Sequence, residues 1–232
     1  SLSFTVPRIL VVTGAAYGKK TEVWPKPESQ CTLPDFPLRV DGAVGFWTAQ
    51  GPMVCGGNGG ENKCFLYKNH QWMPSTNMGT QRTWASAVQI NSNQAIIIGG
   101  YDENGKALKT TEVKTSTGSE EGKDFPVTIE RHCSFKINST HALVTGGRQD
   151  YSTSASTWFV DLTTTRFTPG PKMTSRRREH GCSTLQLGRK TFGVVAGGYY
   201  NRFLDSTELI DLEEESPTWT EGMQDKSKIV YL

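Results

Sequence analysis

The sequence has no long apolar run. Runs such as Ile9 to Val12 and Ala95 to Ile98 fall far short of the roughly 20 residues that cross a bilayer as a helix, so no helical membrane span is expected. Charge of one sign is also scarce. Lys and Arg number 25 against 23 Asp and Glu, the formal charge is +2, and the longest basic tract is Arg176-Arg177-Arg178. The long-range field that nucleic-acid binders rely on is therefore missing, and nucleic acid is set aside as a partner. Helical periodicity is weak throughout. The usual enzyme signatures are absent too: no Gly-x-Ser-x-Gly elbow, no phosphate loop ending in Gly-Lys-Ser/Thr, and no His-Glu-x-x-His. The five cysteines show no Cys-x-x-Cys zinc spacing. The chain opens on Ser1 rather than Met, so removal of an upstream leader or domain stays open and cellular location is not read from this end.

What is present is a repeat. With 24 glycines in 232 residues, glycine exceeds its usual share of about 7%, and much of the excess is periodic. Short apolar runs end in Gly pairs at Gly56-Gly57, Gly99-Gly100, Gly146-Gly147 and Gly197-Gly198, with Gly14-Ala15 as a fifth. The first glycines are spaced by 42, 43, 47 and 51 residues. Further positions recur: Ser156-Thr157-Trp158 aligns with Ser206-Thr207-Glu208, and Thr111-Glu112-Val113 with Thr21-Glu22-Val23, as a strand after each pair. Trp72, Phe167 and Trp219 mark another strand. The turns into the next unit are of two kinds, Asp35-Phe36-Pro37 and Asp124-Phe125-Pro126 in some, Met78-x3-Arg82 and Met173-x3-Arg177 in others.

Four short strands per unit, punctuated by Gly and Pro, are the pattern of a propeller blade. The pair is expected deep in the ring, where a side chain would strike the neighbouring blade, and the Trp is expected to fill the wedge between sheets. The Gly doublets, the downstream Trp and the step resemble kelch repeats over about residues 8 to 222. The expected fold is thus an all-β, kelch-type β-propeller of five recognisable four-stranded blades in a single domain, 1–232. The family usually closes with six or seven blades. The terminal run Ile229-Val230-Tyr231-Leu232 reads as the first strand of another blade. Two outcomes stay open: an incomplete six-bladed ring, which is favoured, or a five-bladed ring in which that strand replaces Leu2 to Val6.

If the strands run a to d outward, the b-c and d-a connections share one face. That rim collects Tyr17, Tyr101, Tyr151, Tyr199 and Tyr200 with Arg148 and Arg202 from b-c connections, and Arg39, Arg82, Arg131 and Arg176 to Arg178 from d-a turns. Tyr and Arg are the residue types enriched at binding hot spots, and Arg forks onto carboxylates. The expected partner-binding set is Arg82, Tyr101, Arg148, Tyr151, Arg177, Tyr199 and Arg202, with an acidic peptide segment as ligand and no cofactor. The bland alternative is that each Arg is a solvated turn residue and each Tyr packs on its own blade. Resemblance to the kelch family implies an interaction module; the competing class is a carbohydrate-active propeller of the sugar oxidase, epimerase or mutarotase type.

His132 and His180 fall in adjacent innermost strands and could share a metal, but no carboxylate or thiolate stands at ligand spacing, so no metal site is assigned. Cys133 and Cys182 in the same strands read as small core fillers. One disulfide is conceivable among Cys31, Cys55 and Cys64. Asn138-Ser139-Thr140 is a candidate glycosylation acceptor in an a-b turn, on the face away from the rim. Together with the cysteines it leans toward an extracellular protein.

Overall fold

The computed structural model describes residues 9–12, 18–24 and 33–222. These form strands and turns, and no helix occurs among them. Four sheets have four antiparallel strands in a-b-c-d order. The second unit comprises Val44–Thr48, Gly51–Cys55, Cys64–Lys68 and Gln71–Ser75. The third comprises Ser86–Asn91, Gln94–Ile98, Thr111–Lys114 and Ser119–Glu121. In the fourth, Cys133–Lys136 and His141–Thr145 lead to Thr157–Asp161 and Arg166–Pro169. The fifth has Gly181–Leu187, Lys190–Ala196, Thr207–Asp211 and Trp219–Glu221. Ile9–Val12 and Thr21–Trp24 pair as the b and c strands of the first unit. Four of the five expected blades are thus four-stranded, and of the first unit the b and c strands fall among the described residues. Gly14-Ala15, Tyr17, Cys31 and the runs 2–6 and 229–232 lie outside the described residues.

Innermost strands of consecutive units pack on one another: Val44–Thr48 against Ser86–Asn91, that strand against Cys133–Lys136, and that in turn against Gly181–Leu187. The arrangement is all-β and propeller-like, and the core lies between sheets. Phe46, Met53 and Leu66 meet Ala95 and Ile97 between the second and third units. Ile96 and Ile98 meet Ala142, Val144 and Val160 between the third and fourth. Phe135 and Leu143 meet Val195, Ile210 and Trp219 between the fourth and fifth. Trp72 is buried and donates from Nε1 to Thr21 Oγ1 of the first unit at 3.2 Å, so it does bridge neighbouring sheets. The outermost described sheet is less covered, with Leu185 and Leu187 exposed on its a strand.

The Gly pairs do what close approach requires. Gly56, Gly99 and Gly146 have φ of 69°, 59° and 58°, and a Cβ on each would stand 2.5, 2.2 and 2.4 Å from the main-chain oxygens of Arg82, Ile129 and Arg177 in the next unit's turn. No side chain fits there in that conformation.

Two disulfides clamp the sheets. Cys55–Cys64 joins the b and c strands of the second unit, and Cys133–Cys182 joins the a strands of the fourth and fifth. Reading Cys133 and Cys182 as core fillers was therefore wrong: equivalent positions on adjacent inner strands lie with Cα atoms 6.0 Å apart, within bonding reach.

Candidate functional site

The site is built by the d-a turns, and these turns have a common frame. Phe36, Met78, Phe125 and Met173 each donate their main-chain N–H to the preceding unit, at Lys19 O, Asn62 O, Lys109 O and Ala155 O, and each side chain is buried. Four residues on, Val40, Arg82, Ile129 and Arg177 are also buried. In two turns this inner seat is apolar: Val40 accompanies Phe65, and Ile129 accompanies Trp158, whose rings pack edge-on against Phe36 and Phe125. In the other two it is ionic. Arg82 Nε donates to Glu112 Oε1 at 2.8 Å, and Arg177 Nη2 to Glu208 Oε1 at 2.8 Å, with all four side chains no more than 4% exposed.

Most of the rest of each ionic seat is bonded internally, although Arg177 Nε is buried without a hydrogen-bond partner among the described residues. Glu112 accepts from Gly79 N and Thr80 N, and Glu208 from Thr174 N and Ser175 N. Arg82 also donates to Gly99 O and Thr110 O, and Arg177 to Gly197 O and Ser206 O. Burial would push the Glu112 carboxyl up, but hydrogen bonds from Ser119 and Arg82 outweigh it and hold the group below the ordinary glutamate value. In the apolar turns Pro37 and Pro126 occupy the place of Gly79 and Thr174, which removes one of the two N–H groups that the glutamate accepts from in the ionic turns. Arg82 and Arg177, expected on the rim, are corrected on this point: their guanidinium groups lie inside the fold, bonded to carboxylate and carbonyl oxygens.

The surface is made two residues further along. Gly42, Trp84, Arg131 and Glu179 all have φ between 54° and 66°. Their main chains join from unit to unit: Trp84 N to Gly42 O at 2.9 Å, Arg131 N to Trp84 O at 2.8 Å, Glu179 N to Arg131 O at 2.9 Å. This belt sets the side chains of successive units beside one another. The Arg131 guanidinium lies over the Trp84 ring, 4.8 Å from its centroid, and pairs with Glu179 on its other side. Holding three non-glycine residues at positive φ costs on the order of 1 to 2 kcal/mol each, a kind of strain that gathers at functional sites.

The b-c connections complete the mouth. Each d-a turn pairs with the b-c hairpin of its own unit, through Thr83 with Tyr101, Ile129–Glu130 with Arg148–Gln149, and Arg178 with Tyr199. Tyr101 Oη donates to Glu130 Oε1 at 2.6 Å, and Arg148 Nη1 donates to Tyr101 Oη at 3.0 Å while standing 3.2 Å from Glu130 Oε1. Arg148 Nη2 also holds Tyr151 O at 3.1 Å. Arg178 stacks over Tyr199 at 5.0 Å and lies 3.7 Å from Glu179. Glu130 is 1% exposed, whereas Arg131, Arg148 and Arg178 are 26–30% exposed. Burial pushes the Glu130 carboxyl above its ordinary value, although Tyr101 and the arginines act against that, and burial together with Glu130 raises Tyr101.

Of the expected residues, the structure thus gathers Tyr101, Arg148, Tyr151 and Tyr199. Arg202 is placed apart, with Arg176 and Tyr200 around a cavity of about 560 Å³. Sequence reasoning missed Trp84, Glu130 and Glu179. A signal was available, because Trp84, Arg131 and Glu179 fall at the repeat position held by Gly42. His132 and His180 are buried, with Nε2 against Ser86 Oγ at 2.7 Å and Thr145 Oγ1 at 2.8 Å. Among the described residues, no three or more His, Cys, Asp or Glu side chains are grouped to hold a metal ion.

No family model matches the chain, and no curated protein matches it. A solved structure titled "Structure of YjhT" is similar in fold, with a TM-score of 0.68 at 14% identity over 82% of this chain and 67% of that one. At that identity the likeness concerns the fold alone.

Proposed function

We propose that the chain is a kelch-type propeller serving as an interaction module, and that the face made by its b-c and d-a connections binds an acidic protein segment. The observation that supports this most is the convergence of Arg131, Arg148 and Arg178, each partly exposed, from two d-a turns and a b-c hairpin. Trp84, Tyr151 and Tyr199 stand beside them as aromatic walls, Tyr151 being 61% exposed. Guanidinium groups held in place by stacking and ion pairs are ready to form charge-assisted hydrogen bonds with carboxylates. Peptide selection on the purified protein tests the reading: the selected ligands should be acidic, bind less tightly as salt rises, and lose affinity with Arg148→Ala. Loss of binding on substitution of the a-b turn around Asn138, with Arg148→Ala silent, would place the function on the opposite face.

A second reading is favoured by one observation. Glu130 and Tyr101, both shifted upward and 2.6 Å apart, form a proton-holding pair of the kind used in acid–base work on a carbohydrate. A glycan array run beside the peptide selection separates the two readings.

A further inference from the structure

The mouth contains a feature that simple anion binding does not explain: a buried carboxylate beneath its arginines. Glu130 lies below the surface with Oε1 bonded to Tyr101 and 3.2 Å from Arg148 Nη1. Its Oε2 stands 3.4 Å from Arg131 Nε without hydrogen-bond geometry. Glu130 Oε2, Arg131 Nε and Arg178 Nε are all buried and lack hydrogen-bond partners among the described residues. The carboxylate is thus drawn toward guanidinium groups on both sides while fully bonded to neither.

Resting on the binding reading above, we propose that Glu130 is the positioning and gating residue of the anion site. Its carboxylate sets the arginines in place and competes for them with the acidic group of an incoming peptide, so that discharging Glu130 tightens binding. The competition is geometric. Arg148 approaches Glu130 from the b-c hairpin of its own unit, Arg131 follows it in the d-a turn, and Arg178 belongs to the next unit's turn, beside Glu179. A ligand carboxylate reaching the partly exposed guanidinium groups must share positive charge that Glu130 and Glu179 already offset. Glu130 is the acid enclosed beneath the arginines, and burial raises its carboxyl above the ordinary glutamate value. The neighbouring imidazoles of His132 and His180 are held down to about 3 by burial and stay neutral well above that. Tyr101 is raised and keeps its proton.

The test is a titration of binding with a fluorescein-labelled Glu-rich peptide, read by anisotropy between about pH 5.5 and pH 7.5, a range over which the probe's own carboxylates stay ionised. The wild type should bind more tightly as the pH falls. Glu130→Gln, which keeps an acceptor for Tyr101, should bind roughly threefold to tenfold more tightly than the wild type at the upper pH and show no pH dependence. Tyr101→Phe, which removes a bond that favours the charged carboxylate, should move the tightening to higher pH. Thermal melts followed by circular dichroism establish that each variant is folded. Weaker or unchanged affinity in folded Glu130→Gln, or a pH dependence equal to the wild type's, overturns the proposal while leaving the module reading intact if Arg148→Ala still weakens the probe. If no variant and not the wild type binds the probe, the module reading itself fails, and this proposal with it.

Discussion

Replacing Arg177 with Ala should unfold the protein more readily rather than merely blunt a surface. The side chain is fully buried and makes four hydrogen bonds, to Glu208, Ser206 Oγ, Ser206 O and Gly197 O. Its loss strands a carboxylate that is 1% exposed and takes the donor from the Gly197 carbonyl oxygen. Breaking one side of such a pair costs about 3 to 5 kcal/mol, and in a chain of this size each kcal/mol lowers the melting temperature by about 2 to 4 °C. The expected fall is therefore about 6 to 20 °C in a thermal melt followed by circular dichroism. Lys20→Ala is the comparator: its exposed pairing with Asp35 predicts a change within about 1 kcal/mol. The fourth unit supplies a sharper control, because it fills the same seat with Phe125, Pro126, Ile129 and Trp158. Grafting that set as Met173→Phe, Thr174→Pro, Arg177→Ile and Glu208→Trp removes both charges and the Thr174 N–H, one of the two that Glu208 accepts from. Replacing a buried pair by packed apolar groups is often close to neutral, so the graft should recover most of the loss. A fall below about 1 kcal/mol for Arg177→Ala, well under that cost, refutes the structural role, and a graft no more stable than Arg177→Ala refutes the equivalence of the two seats.

Acid should weaken the fold through its buried imidazoles. Burial holds His132 and His180 down to about 3, so the unfolded chain takes up their protons first. Stability should therefore fall between about pH 6.5 and pH 3 by up to about 1.4 kcal/mol per pH unit for each group. Urea midpoints measured across that range for the wild type and for His180→Asn check this; an equally steep dependence in the variant counts against it. The two disulfides should differ in worth. Cys133–Cys182 spans 49 residues and Cys55–Cys64 spans 9, and the chain-entropy relation gives about 4 and about 2.5 kcal/mol. Melts of the two double-Ser variants should follow that order, and the reverse order would contradict it. Asn138 is exposed, and its Oδ1 is turned inward to accept from Thr140 and His141. Expression through a eukaryotic secretory route, the oxidising setting in which disulfides persist, should add a glycan that Asn138→Gln abolishes; an unshifted intact mass rejects the site.

The Gly pairs were readable in the sequence because their cause is local and steric: a positive φ and a neighbour's carbonyl at the place a Cβ would occupy. Trp72 was readable for a related reason, since a large apolar residue at a fixed repeat position has few places to go. The arginines were not sorted so easily. Met78-x3-Arg82 and Met173-x3-Arg177 show the turn but not the acceptor, which sits in a strand about 30 residues on. The information was nevertheless present between repeats. Units whose turn carries Arg have Thr-Glu in the c strand, as Thr111-Glu112 and Thr207-Glu208, whereas units whose turn carries Phe-Pro have Phe65 or Trp158 at the Glu position. Pairing turn type with strand type would have shown that Arg82 and Arg177 face inward. Cys133 and Cys182 stayed hidden because their bond depends on the contact between adjacent inner strands, which no spacing within one unit reveals.

Position within the turn, rather than residue type, decides what an arginine does here. At the fourth place after the buried Phe or Met, a side chain points into the seat between sheets, and Val40, Arg82, Ile129 and Arg177 meet that demand by two different chemistries. At the sixth place the backbone is left-handed, and the side chains of Trp84, Arg131 and Glu179 come out beside one another at the mouth. The first place fixes the turn and the second displays from it. Because the seat fixes the turn whether it is filled by an ion pair or by hydrocarbon, the displayed residue is free to vary from Gly to Trp, Arg or Glu without loosening the frame. A scaffold of this kind separates stability from recognition. Under the proposed binding role, ligand preference is set by the displayed residues and the buried Glu130 beside them, while substitutions at the seat report on folding.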